Sequence, residues 1–145
     1  ILYSRKASEV MNIKPEIIAF RALKNQSNPL AVPDSVNLIF EKELLDIGNC
    51  YNELNGIFTV PPGGDGLYQF DLTYDFYSSS HSLRVIKNGQ REEIVFDGYG
   101  TSVAGVKSYS FIYYLNEGDT IQIALLNLTN QTFCGSGTFY GYRIH

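Results

Sequence analysis

Apolar and polar positions alternate along much of this chain. Between Leu67 and Phe76, the residues Tyr68, Phe70, Leu72, Tyr74 and Phe76 fall on one face. Leu67, Gln69, Asp71, Thr73 and Asp75 fall on the other. A period of two held over ten residues predicts a half-buried strand. The same period returns at 108–115, with Tyr109, Phe111, Tyr113 and Leu115 in phase, and at 121–126, with Ile121, Ile123 and Leu125 in phase. Shorter runs at 17–23, 36–40, 44–47, 56–60, 83–87, 92–96 and 138–144 complete a set of ten predicted strands. Turn signals separate them: a proline-punctuated polar loop at 25–34, Pro61-Pro62-Gly63-Gly64, a serine-rich loop at 78–81, Asn88-Gly89, a glycine-rich loop at 97–106, Asn116-Glu117-Gly118-Asp119, and a polar loop at 127–137. Short strands with frequent turns predict an all-β fold, a ten-stranded antiparallel β-sandwich. Residues 1–14 are mixed in character, carry Arg5, Lys6 and Glu9, and end at Pro15. They read as a tether or stalk remnant ahead of a globular domain at 15–145.

Composition narrows the class. A chain of 145 residues forms one domain and buries roughly 68–70% of its unfolded surface. The net charge of −4 argues against a general nucleic-acid binder, which needs a basic face for phosphates. No apolar run approaches the ~20 residues that span a bilayer as a helix. The chain starts at Ile1, which reads as a mature protein or an excised domain. Two cysteines, Cys50 and Cys134, and glycosylation sequons at Asn25, Asn127 and Asn130 favour a secreted, extracellular protein.

One stretch carries a more specific pattern. Phe40, Asp46, Tyr51 and Phe58 recur at set intervals, followed by Gly66, Tyr68 and Phe70. In type and spacing this resembles the globular domain of complement C1q, within the C1q and tumour necrosis factor superfamily. Two departures stand out: seven residues separate Phe58 from Gly66 where the family usually has five, and Leu72 takes a position usually aromatic. The first lengthens a turn and the second keeps an apolar face. Further motifs extend the likeness across about 15–145: Ala19-Phe20-Arg21-Ala22 near the start, Leu115-Asn116-Glu117-Gly118-Asp119, and Phe139-Tyr140-Gly141-Tyr142 near the end. The resemblance implies a jelly-roll sandwich of the C1q/TNF-like type that assembles as a homotrimer around a threefold axis. The residues give a separate reason for assembly. The strands at 108–115 and 138–144 carry apolar or aromatic groups on both faces, so one face needs a cover beyond the core. Tyr109, Phe111, Tyr113, Tyr140 and Tyr142 are the expected trimer-interface residues.

If the predicted strands alternate in direction, the loops at 24–35, 48–55, 77–81, 97–107 and 127–137 share the end opposite the termini. Cys50 and Cys134 then lie at one end, where they either pair as a disulfide or stand as two thiols. All three sequons fall at that end. Tyr77, His81 and Tyr99 are the candidate ligand-binding residues there, since tyrosines can stack on sugars. The resemblance also implies calcium near a trimer apex, and Asp97 is the one carboxylate in the loop before the eighth predicted strand. No cofactor is required. Only His81 and His145 are histidines, and nothing supplies the oriented base and oxyanion hole of a hydrolase, so no catalytic residue is expected.

The expected function is therefore a secreted, trimeric, non-enzymatic recognition module. The resemblance implies carbohydrate or protein ligands and an innate-immune, lectin-like role. Two alternatives stay open. One is a trimerising structural head of an extracellular matrix, biomineral or adhesive protein. The other is a TNF-like receptor ligand, gripped at the grooves between subunits.

Overall fold

The computed structural model describes residues 16–24, 30–31, 35–77, 81–97, 104–127 and 133–145. Among them the chain forms twelve strands: β1 Ala19–Lys24, β2 Leu30–Ala31, β3 Ser35–Asn37, β4 Lys42–Ile47, β5 Tyr51–Asn52, β6 Ile57–Thr59, β7 Gly66–Tyr77, β8 His81–Lys87, β9 Gln90–Asp97, β10 Ala104–Leu115, β11 Thr120–Asn127 and β12 Phe133–Arg143. They build two antiparallel sheets. The first runs β10-β7-β12-β1-β4, with β2 on β12; the second runs β5-β6-β11-β8-β9, with β3 on β11. The all-β sandwich was expected, but the count of ten is not what forms. Two-residue strands β2 and β5 arise where a loop and a turn were read, and β10 and β12 start earlier than their alternation suggests.

One difference alters the layout. Alternation of direction predicts two opposed strands at 36–40 and 44–47. They are one descent split between sheets. β3 pairs with β11 from Leu126 down to Ala124, and β4 then pairs with β1 from Leu23 down to Ala19. The chain changes sheets across 38–41, held by Leu38 N donating to Ile123 O at 2.8 Å and Lys24 Nζ to Ile39 O at 3.1 Å. The 48–50 turn therefore lies at the end with the start of β1 and the end of β12, not opposite them. Cys50 moves with it. Cys134 pairs with Phe76, whereas Ile47, next to the turn, pairs with Ala19, itself opposite Tyr142. Cys134 and Tyr142 are eight residues apart on β12, about 26 Å of strand. A disulfide tolerates roughly 7 Å between Cα atoms. Of the two readings open for Cys50 and Cys134, the disulfide is not what forms: Cys50 is a buried free thiol.

The core is aromatic. Phe20 stacks flat on Tyr51 at 4.8 Å and meets Phe139 edge-on at 5.0 Å. Phe58 sets its edge against Tyr68 and Phe70, and Phe70 stacks on Phe111 at 5.3 Å. Such offset and edge geometries add about 0.5–1.5 kcal/mol per pair beyond the area they bury. Two glycines make this packing fit. A Cβ on Gly141 would run into the rings of Phe70 and Phe20, and one on Gly66 would meet the His145 carbonyl. That is the physical content of the glycines in the Gly-x-Tyr-x-Phe and Phe-x-Gly-aromatic motifs.

Candidate functional site

The carboxylate at the middle of the Phe40–Phe58 pattern organises the turn that follows it. Asp46 Oδ1 accepts hydrogen bonds from Cys50 N at 2.8 Å and Cys50 Sγ at 3.2 Å, and Oδ2 accepts from Tyr51 N at 3.2 Å. Tyr51 is thereby aimed into the core, where its hydroxyl donates to Phe40 O at 3.0 Å. Burial, followed by the Asp46 carboxylate, pushes the Cys50 thiol far above its ordinary value. A thiol held protonated is a weak nucleophile, so Cys50 is structural. Tyr51 is a packing anchor rather than a ligand-stacking residue.

More clamps gather at the same end. Gly64 N donates to Pro61 O at 2.9 Å and Tyr68 Oη to Gly64 O at 2.6 Å, which closes the long Pro-Pro-Gly-Gly turn. Asp65 Oδ1 accepts from Glu117 N at 2.6 Å. Asp119 accepts from Asn116 N at 2.8 Å and from Asn88 Nδ2 at 2.9 Å, and these bonds lower its pKa. Asp46, Asp65 and Asp119 are thus occupied with backbone, thiol and amide donors. Among the described residues no three metal-ligating side chains converge.

The opposite end is marked by strand termini. Tyr77 pairs with Ala104, His81 with Asn127, and Ser82 with Asp97. Tyr77, His81, Asp97 and Asn127 are therefore strand-end positions at one end of the sandwich, although His81 opens β8 instead of lying in a loop. Tyr99, Asn25 and Asn130 lie outside the described residues.

The outer face of the first sheet is the second candidate region. Its register lines up Ile112, Gln69, Tyr142, Ala19 and Ile47 in one row across five strands. The next row is Ser110, Asp71, Tyr140, Arg21 and Leu45. Ile112 is 54% exposed and Tyr114 62%, with Leu45, Ile47, Tyr140 and Tyr142 between 37% and 44%. A shallow groove of about 510 Å³ runs between Tyr140, Tyr142, Arg21 and Leu45. Asp71 sits in the middle, accepting from Ser110 Oγ and from Gln69 Nε2. Partial burial, then the Asp71 charge, raises the Tyr140 pKa.

The expected interface residues divide between the two faces of this sheet. Tyr140 and Tyr142 point outward. Tyr109, Phe111 and Tyr113 point inward: Phe111 joins the core, and Tyr109 and Tyr113 pack against it. Alternation fixes which residues share a face but not which face is covered. Ile112 and Tyr114 take the outward positions on β10 instead. Arg21 and Leu45 escaped sequence reasoning because only the pairing of β1 with β12, and then of β4 with β1, brings them beside Tyr140.

Comparison with known proteins agrees with this geometry. The family model for the C1q domain matches residues 19–144. Among solved structures, the globular domain of zebrafish complement 1qA is similar over 90% of this chain and 98% of its own, at 20% identity and a TM-score of 0.64. Murine APRIL is similar at 15% identity and a TM-score of 0.52, covering 89% of this chain and 100% of its own. Vertex protein P5 of PRD1 follows at 13% identity and 0.56, covering 86% and 71%. No curated protein matches at a significant level. Likenesses this distant establish the fold, whereas the family match spans β1 to the end of β12; the chain belongs to the C1q domain family.

Proposed function

We propose that this chain is the recognition head of a secreted homotrimer, binding carbohydrate or protein ligands through the loops opposite its termini. The observation that carries it is the outer face of the first sheet. Ile112, Tyr114, Tyr140, Tyr142, Leu45 and Ile47 stay exposed there, set among Gln69, Asp71, Ser110 and Arg21. Large exposed apolar side chains gathered on one sheet face suit a partner, and a second and third copy supply one without any other component. The β10 edge, with Ile112 and Tyr114 exposed, is a protruding apolar rim. The groove at Tyr140, Tyr142 and Leu45 is a receiving surface. A rim on one side and a groove elsewhere make a head-to-tail contact that closes into a ring.

Such a ring sets three copies of the loop end side by side, so weak single-site binding adds up to avidity. Tyr77, His81 and Tyr99 are the proposed ligand contacts, and Asn25, Asn127 and Asn130 the proposed glycosylation positions. Asp97 gives one carboxylate per chain, far short of the six to eight oxygens calcium takes. A calcium ion would thus draw on symmetry-related copies. The chemistry is binding, not catalysis. Sedimentation at micromolar concentration tests the assembly, and a species three times the 16.3 kDa chain is expected. A glycan array with and without calcium tests the ligand class. A monomer at every concentration sinks the proposal; a trimer blank on the array transfers the search to protein ligands.

A further inference from the structure

The chain holds two Asn-Gly pairs, Asn55-Gly56 and Asn88-Gly89. Asn-Gly invites self-modification, because a following glycine has no Cβ to hinder its backbone nitrogen from reaching the asparagine side chain. The fold locks the two pairs at different atoms. At the first, the attacking nitrogen is occupied: Gly56 N donates to Asn52 O at 2.8 Å, and the residue is buried under the Leu38 carbonyl. Asn55 Oδ1 meanwhile accepts from Ile57 N at 3.0 Å. At the second, the attacking nitrogen is open. Gly89 N makes no hydrogen bond among the described residues, and a Cβ there would meet nothing. Only the side chain under attack is held. Asn88 Nδ2 donates to Asp119 Oδ1 at 2.9 Å, and Asn88 Oδ1 accepts from Thr120 N at 2.8 Å.

We infer that Asn88 is the position at which the folded protein deamidates, and that Asp119 is the latch that slows it. In the step, Gly89 N loses its proton to solvent base and bonds to Asn88 Cγ. The Cγ–Nδ2 bond breaks, and the nitrogen leaves as ammonia. Water opens the resulting succinimide at either carbonyl, giving aspartate or isoaspartate; no oxidant or reductant is needed. Cγ cannot swing toward Gly89 until both side-chain bonds break. The product then works against the latch. It has lost the amide donor and sets a new carboxylate against Asp119, with Lys87 the nearby cation. The side-chain tie between the β8–β9 turn and Asp119 is thereby lost, while Asn88 N still donates to Thr120 O at 3.1 Å.

The test is ageing of the intact chain and of Asp119→Ala at mildly alkaline pH, read by peptide mapping and mass spectrometry at both sites. Wild type should convert at Asn88 faster than at Asn55. In Asp119→Ala the ratio of Asn88 to Asn55 conversion should rise roughly tenfold, the scale of one lost hydrogen bond to a charged group. Reading the ratio separates loss of the latch from general loosening, which would speed both sites. Asn88→Asp provides a second reading: it should melt below wild type at neutral pH, and that deficit should shrink in the Asp119→Ala background. Equal conversion at the two sites, conversion at neither, or a ratio unmoved by Asp119→Ala overturns the inference.

Discussion

Both faces of the first sheet carry large apolar and aromatic residues, and these meet different fates. Inside, Tyr68, Phe70, Leu72 and Phe139 are almost wholly buried. Outside, Ile112, Tyr114, Tyr140, Tyr142, Leu45 and Ile47 keep between 37% and 62% of their surface. The second sheet closes over one face and leaves the other. The difference teaches that a strand apolar on both sides is unfinished within one chain. It also predicts a sharp separation between residues that hold the protomer and residues that join protomers.

The strongest break in that comparison comes from inside. Phe70→Ala removes a ring that touches Phe20, Phe58, Tyr68, Phe111 and Phe139. It should cost about 3–5 kcal/mol in chemical denaturation. A loss below 1 kcal/mol would show that the core repacks freely.

Asp46→Ala comes next. It strands two backbone donors and the Cys50 thiol around a part-buried site. Roughly 2–3 kcal/mol should be lost. Cys50 should also become reactive toward a maleimide in the folded Cys134→Ser background, where it is otherwise silent. Unchanged labelling would mean that Asp46 does not set the thiol's protection.

Outward residues should behave in reverse. Ile112→Ser with Tyr114→Ser should change unfolding free energy by about 0.5 kcal/mol or less per site, yet shift the sedimenting species from trimer to monomer. A destabilised protomer would place these side chains inside a core after all.

The smallest effect is acid-dependent. Hydrogen bonds from Asn116 N and Asn88 lower the Asp119 pKa in the folded chain. A carboxylate with a depressed folded pKa adds stability above its unfolded value and loses it as pH falls through the folded one. Melting temperature should therefore drop slightly more steeply below the ordinary aspartate range in wild type than in Asp119→Ala. Parallel curves would show that Asp119 contributes nothing measurable there.

Much of this was legible in the order of residues. The alternation at 67–76 and 108–115 marked the two longest elements, β7 and β10, because a pleated strand can only place neighbours on opposite faces. Phe40, Tyr51, Phe58, Tyr68 and Phe70 pointed to the core and to the family, and all five are buried. The path between them was not legible. Nothing in the run 36–47 says that the chain changes sheets between β3 and β4, since both halves are short apolar strands. That single crossing puts Cys50 at the other end from β12's start and removes the disulfide from the two readings left open for Cys50 and Cys134.

Sequence alone settled the fold class, the family and the pairing of residues onto faces, for these follow from local periodicity and spacing. Tertiary structure decided which face is covered, which end each loop occupies, and which groups lie beside Tyr140 or Asn88. Those are contacts between residues far apart in the chain, and only the closing of one sheet over the other brings them about.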